Sequence, residues 1–189
     1  MQLENELCIV QITTDTVYTV QSSDNKHYDL ELNPEKYTHS DFYNTFSIHI
    51  DLFYKEIDIA LVGDYDSCDT DCAILNENIL TIMQGSTISQ IDIKKEELVL
   101  HKKFECFGCT LGIFPILDGF IVWGELEILR LDLNFDKVWS FCGKDIFVSQ
   151  SQNAPFMICG DSIKLFDWEN NYYVLDFNGK LINTNTKHQ

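Results

Sequence analysis

The residues best placed to do chemistry are four carboxylates in one short run, Asp64-Tyr-Asp66-Ser-Cys-Asp69-Thr-Asp71. Hard cations draw several carboxylates at such spacing. An EF-hand loop counted from Asp64 needs Gly at its sixth position and Glu at its twelfth, where this chain has Asp69 and Leu75. The calcium-loop pattern therefore fails. What remains is a solvated acidic loop or an acidic lip that meets a cationic partner. The thiols come next. Cys106-Phe-Gly-Cys109 is a CxxC, and Cys68 and Cys72 lie upstream. Four thiolates can converge on a tetrahedral zinc ion, but the 33 residues between Cys72 and Cys106 exceed the usual spacing. Phe104, Phe107, Leu111 and Ile113 flank the CxxC. The expectation is buried, reduced cysteines packing as small hydrophobes, with no metal and no cofactor. No helix follows Cys106 to lower its pKa for thioredoxin-like exchange.

The histidines are His27, His39, His49, His101 and His188, and none forms a His-x-x-x-His or His-Glu-x-x-His pair. No Gly-x-Ser-x-Gly elbow, Gly-rich phosphate loop or dinucleotide fingerprint is present. A nucleophile and its base meet in space rather than in sequence, so no catalytic residue is assigned. Trp139 to Phe147 is the densest aromatic turn region. Trp123, Trp139 and Trp168 are expected in different repeats. Aromatics dominate β cores, so core packing is the first reading. A binding platform of aromatic anchors is the second.

The elements that must position these residues are strands. Phe46, Ile48, Ile50 and Leu52 alternate with Ser47, His49 and Asp51, the mark of a half-buried strand. The same logic predicts strands over Leu7–Ile12, Thr16–Val20, Ile57–Val62, Ile79–Met83, Ile88–Ile93, Glu97–His101, Phe120–Gly124, Ile128–Leu133, Lys137–Phe141, Ser162–Phe166, Tyr172–Phe177 and Lys180–Ile182. Tight turns are predicted at Asn76-Glu77-Asn78, Asp118-Gly119, Gly160-Asp161, Glu169-Asn170-Asn171 and Asn178-Gly179. One short helix is predicted from Pro34 to Phe46, with Asn33 as its cap. The polar tail Asn183 to Gln189 is expected to fray.

An apolar–Asp–apolar triplet recurs at Ile50-Asp51-Leu52, Ile91-Asp92-Ile93, Leu131-Asp132-Leu133 and Leu175-Asp176-Phe177. The acidic residues are 41, 40 and 44 positions apart, and each triplet is followed by an apolar partner, Ile57, Leu98, Val138 or Leu181. A period near 40 predicts stacked structural repeats. Each anchor reads as strand, turn and returning strand, with a second hairpin upstream near Gly85, Glu125 and Asn170. Four strands per repeat is the content of a propeller blade. Over residues 45–182 the pattern resembles β-propeller blades of the quinoprotein-like and WD-like kinds, without a Gly-His…Trp-Asp signature. The Asp167-Trp168 dipeptide is reversed. The expected architecture is all-β, with antiparallel meander repeats of about 40 residues in a small propeller-like or open curved stack. All of residues 1–189 are taken as one domain.

At 189 residues the chain can bury roughly 70% of its unfolded surface. The 13 basic and 30 acidic residues leave a net charge of −17, which opposes nucleic acid and anionic membranes as partners. The N-terminus is acidic and lacks a signal-like n-region. The apolar run from Cys106 to Leu117 is broken by Gly108, Gly112 and Pro115 and is too short to span a bilayer. Seven cysteines suit reduced thiols in a cytoplasm. By size and charge the chain resembles the immunity proteins that bacteria make against toxins. That resemblance implies an inhibitor that occludes a basic partner, with Asp64, Asp66, Asp69, Asp71, Glu125 and Glu127 as its acidic rim. Beside it stand a non-catalytic β-repeat scaffold or ligand-binding protein, and an enzyme with zinc-dependent or metal-free hydrolysis.

Overall fold

The computed structural model describes residues 1–148 and 153–185. His188 and the tail beyond Asn185 lie outside the described residues. The chain divides into two compact units, Met1–Lys103 and Phe104–Gln189.

The first unit holds two sheets. One is built from β1 (Gln2–Glu4), β2 (Ile9–Thr14), β3 (Leu30–Leu32), β4 (Tyr43–Asp51) and β5 (Glu56–Asp64). Its order is β1-β2-β4-β5-β3, with β3 parallel to β5 and every other pair antiparallel. The second sheet is a plain meander of β6 (Ala73–Asn76), β7 (Ile79–Gln84), β8 (Thr87–Asp92) and β9 (Glu97–Lys103). The alternation along β4 works as expected. Phe46, Ile48, Ile50 and Leu52 share one core with Ile57, Ile59, Leu61, Leu80, Ile82 and Ile91. Burial of such side chains contributes about 1.5–3 kcal/mol each.

The opposite face of the first sheet is also covered. Tyr18, Val20 and Tyr28 come from the β2–β3 connection and pack on Ala60 and Val62 of β5. This corrects the predicted strand Thr16–Val20, which is a loop. Its amides bond to side chains instead of a neighbouring strand. Asp15 Oδ1 accepts from Val17 N and Tyr18 N, Asn25 Oδ1 from Thr19 N, and the Tyr43 hydroxyl from Val20 N.

The second unit holds two further meanders. They are β10 (Thr110–Ile116), β11 (Gly119–Gly124), β12 (Ile128–Leu131) and β13 (Lys137–Phe141), then β14 (Phe156–Cys159), β15 (Ser162–Phe166), β16 (Tyr172–Asp176) and β17 (Leu181–Asn185). Ile121, Ile128, Phe147, Ile163, Leu165 and Leu175 form their shared core. The fold class is all-β and propeller-like, with three four-stranded antiparallel meanders beside the five-stranded first sheet. Pro115 sits in β10, an edge strand where no ladder donor is needed on one side. That proline, with Gly112, hid β10 from the sequence reading. β1, β3, β6 and β14 were missed because runs of three or four residues carry too little periodicity.

No helix occurs among the described residues. The predicted helix Pro34–Phe46 is replaced by two turns and the start of β4. Asn33 does accept an amide, from Tyr37 N at 2.9 Å, but Lys36 takes φ +61° and ends the helical path. Asn183 to Asn185 do not fray, because they pair with β16. Trp123 and Trp139 share one sheet, on β11 and β13, rather than lying in different repeats. Val138 is not the partner of its anchor. Leu131 pairs with Lys137 because the ladder slips by one residue there.

Candidate functional site

The four anchor aspartates occupy the same place in each repeat, the turn that joins its last two strands. Asp51 Oδ1 accepts from Phe53 N, Asp92 Oδ1 from Lys94 N, Asp132 Oδ1 from Asn134 N and Asp176 Oδ1 from Asn178 N. Each is an Asx-turn, a carboxylate satisfying the amide two residues on. Asp132 and Asp176 also accept from the amide four residues on, at 2.9 Å in both cases. Their third followers, Phe135 and Gly179, have φ +61° and +79°. Asp167 repeats this geometry through Asn171 N and Asn170, and Asn33 through Tyr37 N and Lys36. The repeat signature therefore builds turns and leaves these carboxylates engaged in structure.

None of the seven cysteines is joined in a disulfide. Cys8 and Cys72 are buried, and burial raises the pKa of both, that of Cys72 to about 12. The CxxC is not the buried hydrophobic segment expected of it. Cys106 and Cys109 are half-buried, and Phe107 projects into solvent. Among the described residues no three His, Cys, Asp or Glu side chains are grouped to hold a metal ion. One hydrolase-like line does form in space. Ser89 Oγ lies 2.9 Å from His101 Nδ1, and His101 Nε2 lies 2.7 Å from Glu35 Oε1. Sequence spacing gives no hint of it, since Glu35 comes from the β3–β4 loop and the other two from β8 and β9. A nucleophile must reach its substrate, and Ser89 is only 2% exposed. The line ties the β3–β4 loop to the second sheet.

The candidate rim residues have different fates. Glu127 is 1% exposed and does not belong to any rim. It accepts from Phe107 N at 2.6 Å and pairs with Lys137 Nζ at 3.4 Å, so it anchors the CxxC turn from beneath. Its neighbour Glu125 is half-buried in the β11–β12 turn, where its backbone meets Cys109 and Phe147. Asp64 ends β5, and Asp66, Asp69 and Asp71 follow it in the β5–β6 connection of the first unit. Asp66 and Asp71 are exposed, while Asp64 and Asp69 are half-buried. Asp69 Oδ2 accepts from both the amide and the hydroxyl of Thr14. Ser67 Oγ donates to Asp64 O, and Asn44 Nδ2 donates to Ser67 O. The loop is thus pinned to the ends of β2 and β4.

Beside this loop lies a groove of about 500 Å³. It is lined by Thr14 at the end of β2 and Asp15, Thr16 and Tyr18 after it, by Tyr43, Asn44 and Thr45 of β4, and by Tyr65 and Ser67 of the β5–β6 connection. Tyr65 is 61% exposed and meets Phe42, 84% exposed, edge to face at 6.0 Å. The sequence reading missed both rings. Neither sits in an alternating run, and exposure of an aromatic is decided by tertiary packing. Tyr28 donates to Oδ2 of the lining residue Asp15 at 2.6 Å. Burial and that hydrogen bond push its pKa to about 12, so it stays neutral.

No protein-family model matches the chain, and no curated protein matches it. Solved structures do. Dihydro-heme d1 dehydrogenase NirN in complex with DHE matches with a TM-score of 0.51 and 11% identity, over 81% of this chain and 36% of that one. BamB from Moraxella catarrhalis matches at 0.49 and 10%, over 76% and 45%. The WD40 domain of Neurospora crassa Pan2 matches at 0.46 and 13%, over 61% and 37%. The chain spans less than half the length of these structures. At such identities the likeness shows the fold alone.

Proposed function

We propose that this chain is a non-catalytic β-repeat module that binds a protein partner through the groove of its first unit. One observation carries this reading. Phe42 and Tyr65 stand largely exposed on a loop surface that hydrogen bonds hold in place. Rigid aromatic anchors are the usual source of binding energy at protein interfaces. The groups that could do chemistry are spent otherwise: the anchor carboxylates cap turns, and Ser89 is sealed from substrate. The narrower expectation, an inhibitor that occludes a toxin, draws no support from the comparisons.

The reading is tested by photo-crosslinking in the source cells. A photoreactive phenylalanine replaces Tyr65, Phe42 or, as a control, Tyr54 of the β4–β5 turn, which is also exposed. Positions 65 and 42 are expected to trap one common protein that position 54 does not. No adduct at 65 and 42, or equal adducts at all three, would sink the proposal.

A further inference from the structure

We infer that Cys106 and Cys109 are a reversible redox pair, a modification site that closes to an intramolecular disulfide by exchange with a low-molecular-weight disulfide. The inference concerns the second unit and is independent of the groove and of the partner it binds.

The backbone comes first. The chain bends at Phe107 and Gly108, and Gly108 takes φ +73°. A left-handed third residue is what a type II turn requires. A turn over two residues brings the flanking Cα atoms within about 7 Å, and a disulfide spans roughly 4.4–6.8 Å. Cys106 Sγ lies back across the bend, 3.9 Å from Gly108 O, the carbonyl that precedes Cys109.

The β11–β12 turn holds this bend before any sulfur bond forms. Phe107 N donates to Glu127 Oε1 at 2.6 Å, and Glu125 N donates to Cys109 O at 2.8 Å. Gly108 lies against Leu126, whose Cγ would be 2.9 Å from an added Cβ. Glu127 is itself enclosed, so its grip on Phe107 N is not shared with water. The fold has therefore already ordered the loop, and loop ordering is the main entropy that opposes a disulfide.

Access separates this pair from the other thiols. Cys106 and Cys109 are half-buried, whereas Cys8 and Cys72 are buried. Cys142 is the competing thiol, because it is exposed and close to Glu127, but burial and the Glu127 charge raise its pKa and lower its thiolate fraction. In the exchange, one thiolate of the pair attacks the small disulfide and releases a small thiolate. The second thiolate attacks the protein sulfur of the mixed disulfide, closes the Cys106–Cys109 bond and releases the other small thiolate. Two protein thiols lose their protons, and two electrons reduce the small disulfide to two thiols. No helix occurs among the described residues to lower either thiol pKa, so the pair stores a redox state rather than catalysing exchange.

The experiment equilibrates the full chain in glutathione buffers of rising disulfide content, traps the thiols with acid and an alkylating agent, and maps the sulfurs by mass spectrometry. A blocked peptide of residues 104–111 is the reference that carries the same CxxC without the fold. Cys106 and Cys109 are expected to be joined to each other, with an equilibrium constant roughly tenfold or more above that of the peptide, since ordering even one residue is worth that much. Gly108→Ala should lower the constant by roughly tenfold, because a reduced turn can relax the left-handed strain and a closed one cannot. The oxidised chain should also melt at a higher temperature than the reduced chain. The comparison of native chain with peptide needs no substitution, so it decides the matter even if Gly108→Ala does not fold. A constant no greater than the peptide's, glutathione adducts that persist on Cys106 or Cys109 without closing, or closure onto Cys142 instead would overturn the inference.

Discussion

At the scale of single residues, Glu125 and Glu127 show how alike two carboxylates look in sequence and how differently a fold uses them. They are two positions apart on the same turn. Glu127 is enclosed and satisfies the amide of Phe107 and the ammonium of Lys137. Glu125 contributes its backbone, so its carboxylate can be removed without orphaning a buried group. Glu127→Ala should therefore lower unfolding free energy by roughly 1–3 kcal/mol, the cost of stranding a buried donor. Glu125→Ala should stay within about 0.5 kcal/mol of the parent. Urea denaturation of the two variants checks this, and equal effects would mean that Glu127 is not structural. The same contrast separates the buried hydroxyls. Ser89 has its histidine, while Thr45 Oγ1 has no partner.

At the scale of elements, the recurring device is a turn closed by a carboxylate or amide side chain. Asp92 is the most enclosed of the four anchors, at the end of β8. Burial raises its pKa, but the Asn78 amide, the Lys95 and Lys94 amides and the Lys95 charge outweigh that and hold it below the ordinary carboxyl value of 3.8. A lowered folded-state pKa contributes stability that is complete above the unfolded value. The contribution disappears as pH falls through the folded one. The stability gap between the parent and Asp92→Asn should thus be constant from neutral pH down to about 4 and shrink below it. Chemical denaturation across pH 7 to 2.5 measures the gap, and one that widens on acidification would refute the assignment. At the β16–β17 turn the same geometry needs glycine. Gly179 has φ +79°, and an added Cβ would lie 2.7 Å from the Trp139 ring. Trp139 and Arg130 both donate to Phe177 O beside it, so this turn ties the two sheets of the second unit together.

At the scale of the whole chain, the dominant quantity is the net charge of −17. Like charges repel most in the compact state, and salt screens them over about 10 Å at 0.1 M. The thermal midpoint should rise by a few degrees between roughly 20 and 500 mM sodium chloride. A flat or falling midpoint would mean that the charge is already neutralised locally.

Several features were fixed by local chemistry and could be read directly from the residues. Alternation along Phe46 to Leu52 gives β4 and its core face. Asn-Gly and related pairs give the hairpins. The spacing of Asp51, Asp92, Asp132 and Asp176 gives four repeats, because a carboxylate two residues before an amide closes the same turn each time it recurs. Asn33 was misread for the same reason. A side-chain oxygen that accepts a following amide caps a helix and a turn alike, and only the left-handed φ of Lys36 decides between them. The groove was not legible at all. Its walls come from β2, β4 and the β5–β6 loop, which are remote in sequence and adjacent only after the strands have paired. Exposure of Tyr65, enclosure of Glu127 and the unpaired hydroxyl of Thr45 are properties of what lies next to a side chain in space. The order of residue types records who precedes whom, and packing alone decides who covers whom.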